Sequence, residues 1–188
     1  MEKLFLVCNA HLDPIWLWEW PEGAAAAIST FQVAADFCEE YDGFIFCHNE
    51  ALLYQWVEEY APMLFKRIQL LVAAGKWRII GGWYLQPDCN MPSGESMLRQ
   101  ITSGLHYFME KFQTRPTCAV NFDSFGHDRG MVQIMKECGY DSYLFMRPEK
   151  FRMELPARNF IWKGYDGSEI LVRRLDRAYN TLKREAAA

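Results

Sequence analysis

Short apolar runs alternate with longer segments of helical period along this chain, and that alternation restricts the fold more than any other feature. Strands that alternate with helices form parallel sheets, because each helix carries the chain back to the starting edge of the sheet. The apolar runs predict five strands, at residues 3–8, 44–47, 77–80, 118–121 and 142–145. Residues 160–163 and 170–173 predict a hairpin around a Tyr-Asp-Gly turn. The sequence therefore predicts an α/β fold whose parallel sheet is open or forms part of a barrel.

Helix signals lie in the segments between these strands. Pro62 suits a first helical position and Gly75 a C-terminal stop, while Ser93 caps a helix that carries Glu95 in its first turn. The tail of the chain is also prone to form a helix. Helices are predicted at residues 23–41, 50–60, 62–74, 93–112, 131–138 and 176–188.

Composition excludes several classes of function. The 188 residues suit one domain, and 20 basic against 24 acidic residues give a net charge of −4, which argues against electrostatically driven binding of nucleic acid. No stretch approaches the roughly 20 apolar residues that span a bilayer, and too few precede Asn9 for a secretory signal. The six cysteines form no CxxC pair. We expect a reduced, cytoplasmic protein without nucleic-acid or membrane partners.

Polar side chains gather where the predicted strands end, while the opposite ends carry ordinary turn residues. In parallel sheets and barrels, ligands bind at the carboxyl ends of the strands. The polar positions that follow the five strands are His11 with Asp13, residues 48–50, Asp88, Asp123 and Arg147. This asymmetry predicts an active edge of the sheet.

The tripeptide His11-Leu12-Asp13 follows the first predicted strand. In an extended backbone, side chains two positions apart point to the same face, so the imidazole and the carboxylate are expected to converge. Their nitrogen and oxygen donors suit zinc, and cobalt, manganese or nickel would accept the same ligands. A hydrogen-bonded His–Asp pair without a metal is the alternative.

The loop after the fourth predicted strand offers a second group of reactive side chains. Asp123 is placed to be a third metal ligand, a nucleophile or a base, and its alternative role is to cap the helix that follows. His127 is interpreted as a group that orients a ligand rather than as a ligand itself. Arg147, after the fifth strand, would neutralise a carboxylate at the mouth of the site, or be a surface arginine.

Aromatic residues make up 15% of the chain, and Trp16, Trp18 and Trp20 fall within five positions. Aromatic rings fill cores, and they also form flat platforms for sugar rings. Composition by itself does not separate these two roles.

Taken together, the motifs resemble the N-terminal catalytic domain of the glycoside hydrolase family 38 α-mannosidases. They occur in the order of that family and cover most of residues 3–148. The resemblance rests on His11-Leu12-Asp13-Pro14-Ile15-Trp16, Gly81-Gly82-Trp83, Pro87-Asp88, Asp123-Ser124-Phe125-Gly126-His127 and Arg147.

The resemblance implies a seven-stranded, barrel-like α/β domain, one catalytic zinc ion, and retaining hydrolysis of α-mannosides. By this resemblance His11 and Asp13 are zinc ligands, and Asp123 is both a ligand and the nucleophile. Trp16 is the platform under the sugar, and Arg147 hydrogen-bonds the nucleophile. The cis hydroxyls at C2 and C3 of mannose can be chelated by one metal ion, so the ion helps to select the sugar.

Two elements of the family pattern are missing. The acid/base carboxylate and a further zinc-binding histidine lie downstream of the DxFGH loop in the family, and this chain ends first. We therefore expect residues 1–188 to be an N-terminal portion of the catalytic domain, with an incomplete barrel and little or no hydrolase activity alone. An unfinished barrel exposes a sheet edge, which favours homo-oligomers.

Two other functions compete with the mannosidase interpretation. A metal-dependent deacetylase or amidohydrolase on a similar α/β barrel would use metal-bound water and form no covalent sugar intermediate. A non-catalytic carbohydrate-binding fragment would bind mannose without a metal.

Overall fold

The structure, a computed structural model, describes residues 7–175. Most of the first predicted strand and the whole helix-prone tail lie outside these residues. At the start of the described part, Cys8 forms an isolated parallel bridge with Phe46. Cys47 N also donates to the Cys8 carbonyl oxygen at 2.8 Å, so this segment lies alongside the first described strand.

Five helices and six strands follow one another in the described part of the chain. Their order confirms the predicted alternation of strands and helices and the hairpin near the end. The elements are α1 (Trp20–Glu40), β1 (Phe46–Glu50), α2 (Ala51–Tyr60), α3 (Pro62–Ala73), β2 (Trp77–Trp83), α4 (Gly94–Phe112), β3 (Cys118–Asn121), α5 (Met131–Glu137), β4 (Ser142–Phe145), β5 (Asn159–Lys163) and β6 (Glu169–Arg174).

The strands are parallel except for the last hairpin. β1 pairs with β2, and β3 pairs with β4, which pairs in turn with β6. β5 is antiparallel to β6 and lies at the edge. β2 packs beside β3: a Cβ added to Gly81 would lie 2.7 Å from Asn49 Cβ and 3.4 Å from Val120 Cβ. The carboxyl ends of β1, β2, β3 and β4 therefore open on the same side of the molecule.

Two apolar cores fix the helices on the strands. The first lies under α1, α2 and α3 and is centred on Trp77, whose Nε1 donates to the Tyr54 hydroxyl at 2.8 Å. The second lies between α4, α5 and the strands β3, β4 and β6. Phe108 belongs to the first core and Ile101 to the second, so α4 joins the two.

Helix α4 crosses β2 at Gly104 with no side chain between them. A Cβ added to Gly104 would overlap the Gly82 carbonyl oxygen and the backbone of Trp83. Gln100, one turn earlier on α4, accepts hydrogen bonds from Tyr84 N through its carbonyl oxygen at 2.8 Å and from Leu85 N through Oε1 at 3.0 Å. The chain that leaves β2 is thus attached directly to the helix.

Three predicted elements have boundaries that differ from the structure by two residues or more, each for a local reason. β1 begins two residues later than expected and continues through His48 to Glu50, because these polar residues are buried in the strand. β2 runs on to Trp83 because Gly81 and Gly82 allow positive φ angles of 70° and 80°. α1 begins three residues early, with Pro21 in its first turn. No helix in the described part of the chain is long and apolar enough to cross a membrane.

Candidate active site

His11, Asp13 and Asp123 come together at the carboxyl ends of the strands. His11 Nε2 lies 3.3 Å from Asp13 Oδ1 and 3.7 Å from Asp123 Oδ2. One ligand atom from each residue falls within 4.8 Å of the other two. The imidazole is nearly buried, with 8% of its side chain exposed, whereas the Asp13 carboxylate is 40% exposed. The structure therefore brings together the three residues that the sequence placed at this edge.

These three side chains fit a divalent metal ion. Zn–N and Zn–O bonds of roughly 2.0–2.2 Å at tetrahedral angles separate neighbouring ligand atoms by about 3.4 Å. The separations of 3.3 Å and 3.7 Å from His11 Nε2 bracket that value. One imidazole and two carboxylates form a mixed nitrogen and oxygen donor set that suits zinc and that cobalt or manganese would also accept.

Asp123 has a basic side chain near each of its oxygen atoms. Arg147 Nε lies 2.6 Å from Oδ1, and His11 Nε2 lies 3.7 Å from Oδ2. The side chains of Asp123 and Arg147 are 25% and 30% exposed, so the ion pair is only partly screened by water. The guanidinium also covers the exposed Phe125 ring, 5.1 Å from its centroid. The Asp123 carboxylate thus has a fixed orientation at the mouth of a cleft.

His127 contacts Arg147 rather than the three candidate ligands. Its Nε2 lies 2.6 Å from the Arg147 carbonyl oxygen, and the Tyr143 hydroxyl lies 2.8 Å from Nδ1. Because a carbonyl oxygen only accepts, Nε2 carries the proton and Nδ1 accepts from the tyrosine. Burial lowers the pKa of His127. A neutral imidazole therefore anchors the backbone of the arginine that pairs with Asp123.

The cleft in front of these residues has a volume of about 260 Å³. Its walls combine carboxylates with proline and aliphatic side chains, and Phe125 stands at its rim with 76% of its surface exposed. The lining residues are His11, Leu12, Asp13, Pro14, Ile15, Glu50, Leu85, Gln86, Pro87, Asp88, Asn121, Asp123, Ser124 and Phe125.

The clustered tryptophans are divided between surface and packing roles. Trp16 is 66% exposed and lies next to the lining residue Ile15, outside the set that forms the cleft walls. Trp18 packs edge-to-face on Trp16 at 5.5 Å, and its Nε1 donates to the Asp13 carbonyl oxygen at 3.1 Å. Trp20 packs against Trp56. Trp83 is buried and stacks on Tyr140.

Sequence reasoning placed residues 48–50 at the predicted active edge but gave Glu50 no role, and it missed Gln86. Glu50 is 2% exposed, lines the cleft, and accepts hydrogen bonds from Gln86 Nε2 at 2.9 Å and Gln86 N at 3.2 Å. Burial raises the pKa of Glu50 to about 7. A glutamate at the end of an otherwise buried strand was the available signal, because buried carboxylates require partners.

Two other polar positions at strand ends have structural roles. Asp88 is exposed and its Oδ1 accepts from Asn90 N at 2.8 Å and Met91 N at 3.0 Å, which closes a turn. His48 is fully buried beside the Phe31 ring, 4.9 Å between centroids, and burial lowers its pKa to about 3. Cys89 is a buried thiol whose pKa is raised by burial, as expected for a residue without a nucleophilic role.

Comparison with known proteins identifies the family of this chain. Residues 1–187 match the family model described as "Glycosyl hydrolases family 38 N-terminal domain". This match defines the class as a glycoside hydrolase domain, and the chain belongs to glycosyl hydrolase family 38. The resemblance predicted from the motifs is thereby confirmed.

The relatives are much longer than this chain. The chain is 32% identical to human alpha-mannosidase 2C1 over 165 residues, which is 87% of the chain and 16% of that protein. It is 29% identical to alpha-mannosidase G of Dictyostelium discoideum over 90% of its own length and 16% of the relative. The crystal structure of an alpha-mannosidase from Enterococcus faecalis V583 superimposes on 93% of the chain with a TM-score of 0.83, at 22% identity and covering 20% of that chain. The shared fold is consistent with a partial catalytic barrel.

Proposed function

We propose that this chain forms the nucleophile-bearing part of a retaining α-mannosidase site that acts on terminal α-mannosides of oligosaccharides. The observation that carries the proposal is the position of Asp123 at the mouth of the cleft, with Arg147 Nε 2.6 Å from Oδ1 and His11 Nε2 3.7 Å from Oδ2. Family membership and the α-mannosidase relatives support mannosides as the substrate class.

His11, Asp13 and Asp123 would hold a divalent ion, with zinc as the proposed metal. When bound, such an ion would supply positive charge, and the cis hydroxyls at C2 and C3 of mannose could chelate it. Glucose lacks this cis pair, which supports selection of mannose at this position. The exposed ring of Trp16, close to Asp13 along the chain, is proposed as a platform for the sugar.

In the proposed reaction an Asp123 oxygen attacks the anomeric carbon C1. The C1–oxygen bond to the leaving group breaks as the new ester bond forms, and the leaving oxygen takes the electron pair and a proton. Water then gives up a proton to the acid/base group and attacks C1, and the bond from C1 to Asp123 breaks. Two inversions at C1 leave its configuration retained. Arg147 orients the attacking carboxylate, and His127 holds the backbone of Arg147 in place.

The proton for the leaving group requires a second carboxylate roughly 5–5.5 Å from the nucleophile. Asp13 is assigned to the metal, and Glu50 already accepts two hydrogen bonds from Gln86. We therefore propose that the acid/base and a further metal ligand belong to a longer chain, and that residues 1–188 alone turn over aryl α-mannosides slowly or not at all. Turnover that Asp123→Asn abolishes would contradict this part of the proposal.

Two features support further proposals about the setting of the chain. All six cysteines are free thiols, which supports a reducing, cytoplasmic location. β5 pairs only with β6 in the described part of the sheet, and Ile161 on it is 57% exposed. An apolar edge strand of this kind favours homo-oligomers.

The nucleophile is tested with an α-mannosyl fluoride that carries a second fluorine on the sugar ring. Fluoride leaves without a proton donor, so labelling of the 188-residue chain in the presence of zinc depends on the nucleophile and not on a missing acid. Asp123 bonds to C1 as the C1–fluorine bond breaks, and the ring fluorine slows hydrolysis of the ester. We expect intact mass to increase by one fluorosugar and peptide mapping to place it on Asp123.

Two variants control this experiment. Asp123→Asn should remain unlabelled. Asp128→Asn, in the same loop, should label like the parent, because Asp128 is exposed, lies outside the lining of the cleft, and its side chain accepts from Gly130 N at 2.6 Å. A label on another carboxylate, or equal labelling of Asp123→Asn, would refute Asp123 as the nucleophile. Hydrolysis of an acetylated sugar without any covalent label would favour the deacetylase alternative.

A further inference from the structure

We infer that Glu50 and Gln86 are positioning residues that fix the backbone next to Asp123. The importance of this restraint for the site rests on the proposed function of Asp123. Glu50 lies at the end of β1, Gln86 lies in the segment after β2, and Asp123 follows β3. The pair therefore connects three neighbouring strand ends without touching Asp123 itself.

The Gln86 side chain bridges Glu50 and the Phe122 amide. Its Nε2 donates to Glu50 Oε1 at 2.9 Å, and its Oε1 accepts from Phe122 N at 2.6 Å. Because Phe122 N–H can only donate, Gln86 must present its oxygen there and its NH2 group to Glu50. The Gln86 backbone N–H also donates to Glu50 Oε1, at 3.2 Å. Both ends of the amide are thus matched to their partners.

The residue on the other side of Asp123 is tied to the same segment. Ser124 Oγ donates to the Pro87 carbonyl oxygen at 3.0 Å, and Asn121 Nδ2 donates to the same oxygen at 3.2 Å. Phe122 and Ser124, the two neighbours of Asp123, are therefore bonded to the consecutive residues Gln86 and Pro87. This arrangement restricts the backbone of Asp123 from both directions.

Burial makes these hydrogen bonds effective restraints. Glu50 is 2% exposed, and Phe122 and Ser124 are each 6% exposed, so water does not readily replace a lost partner. A small displacement of the Asp123 backbone would alter the distances of its two oxygens to Arg147 and His11. Residues that orient metal ligands in this indirect way commonly affect metal affinity by roughly 10–100-fold.

The test compares Gln86→Ala, Glu50→Ala and Glu50→Gln in the 188-residue chain. Hydrogen exchange at the Phe122 amide and zinc affinity, measured by competition with a chelator, are the two readouts. Gln86→Ala and Glu50→Ala should speed exchange at Phe122 by roughly tenfold and weaken zinc binding by roughly 10–100-fold. Glu50→Gln keeps an oxygen for the Gln86 donors and should restore both values to within about threefold of the parent.

Gln69→Ala is the matched control for removing a hydrogen-bonded glutamine. Gln69 Nε2 donates to the Lys111 carbonyl oxygen at 2.8 Å, between α3 and α4 and away from the cleft. It should leave zinc affinity and Phe122 exchange unchanged. Thermal unfolding of each variant separates loss of the fold from loss of the restraint, and Glu50→Gln remains informative if an alanine variant does not fold.

Three results would overturn the inference. Unchanged exchange at Phe122 in Gln86→Ala would show that the bridge does not restrain this backbone. Faster exchange with unchanged zinc affinity would show that the restraint does not serve the site. Weakening by Glu50→Gln equal to that by Glu50→Ala would indicate a direct charge contact. If the parent chain binds no zinc, the proposed function fails separately, and exchange at Phe122 still decides whether the restraint exists.

Discussion

The ends of β1 and β3 carry similar polar sequences in opposite environments. At the end of β1, His48 is fully buried against Phe31 of α1, and Glu50 is bonded to Gln86. At the end of β3, Asp123 reaches the cleft and meets Arg147. Packing of Phe31 from α1 on His48, and not the polarity of the sequence, keeps this histidine away from a ligand, whereas Glu50 still lines the cleft. Three predictions follow from this difference, in order of expected effect.

The largest effect is expected on zinc content, from substitutions in the cluster that His11 and Asp13 form with Asp123. The double substitution His11→Ala with Asp13→Asn removes two of the three clustered ligands, and we expect zinc content to fall from near one ion per chain to none. Mass spectrometry of the metal in the purified chain measures this loss. His106→Ala is the control, because His106 is 83% exposed on α4. Equal zinc in the double variant and the parent would place the metal elsewhere.

An intermediate effect is expected from the ion pair at the end of β3. Arg147→Ala removes the cation 2.6 Å from Asp123 Oδ1, and leaving a charged, largely buried oxygen without its partner costs roughly 1.5–3 kcal/mol. We therefore expect covalent labelling by the fluorinated mannosyl fluoride to slow by roughly 10–150-fold. Arg147→Lys should recover part of the rate, since it keeps the charge but not the planar fork. A labelling rate that does not change in Arg147→Ala would remove this arginine from the site.

The smallest effect concerns the buried end of β1. The pKa of His48 is about 3 in the fold because of burial, so the unfolded chain, where an ordinary histidine titrates near 6.5, binds more protons between these values. His48 therefore makes the fold less stable as pH falls from about 6.5 towards 3. Phe suits the aromatic neighbours of His48. In His48→Phe, the fall in the free energy of unfolding between pH 6.5 and pH 4.5 should be smaller than in the parent by about 2 kcal/mol.

Urea unfolding at several pH values, for the parent and His48→Phe, measures this difference. Subtracting the two curves is necessary because Glu50 acts in the opposite direction. Its pKa is raised to about 7 by burial, so its contribution to stability decreases as pH rises from its unfolded value near 4.5. Parallel curves for the parent and the variant would show that His48 does not titrate on unfolding in this range.

The predictability of the fold differed between strands for physical reasons. β3 and β4 were placed correctly, at residues 118–121 and 142–145, because apolar runs between turn signals report local structure well. The end of β1 was misplaced because His48 and Glu50 look like loop residues until their burial is known. Positive φ at Gly81 extended β2 beyond its apolar run.

The site was accessible to sequence reasoning only in part. His11 and Asp13 are neighbours on one segment, and Asp123 directly follows a recognisable strand, so their approach could be predicted from strand polarity. The contact between Glu50 and Gln86 could not be predicted, because it joins positions 36 residues apart. The bond from Phe122 N to Gln86 spans the same separation. No local pattern encodes such pairs.

The contact between α4 and β2 at Gly104 has a consequence for how the cleft tolerates change. One methyl group at position 104 would push the helix away from Gly82 and Trp83. Gln100 would move with the helix and displace Tyr84 and Leu85, whose backbone amides donate to it. These two residues directly precede Gln86 and Pro87. A scan of single substitutions should therefore find Gly104 among the positions that tolerate replacement least, although Gly104 does not line the cleft. Natural selection would then preserve the lack of a side chain at one helix position as strictly as it preserves a side chain that performs chemistry.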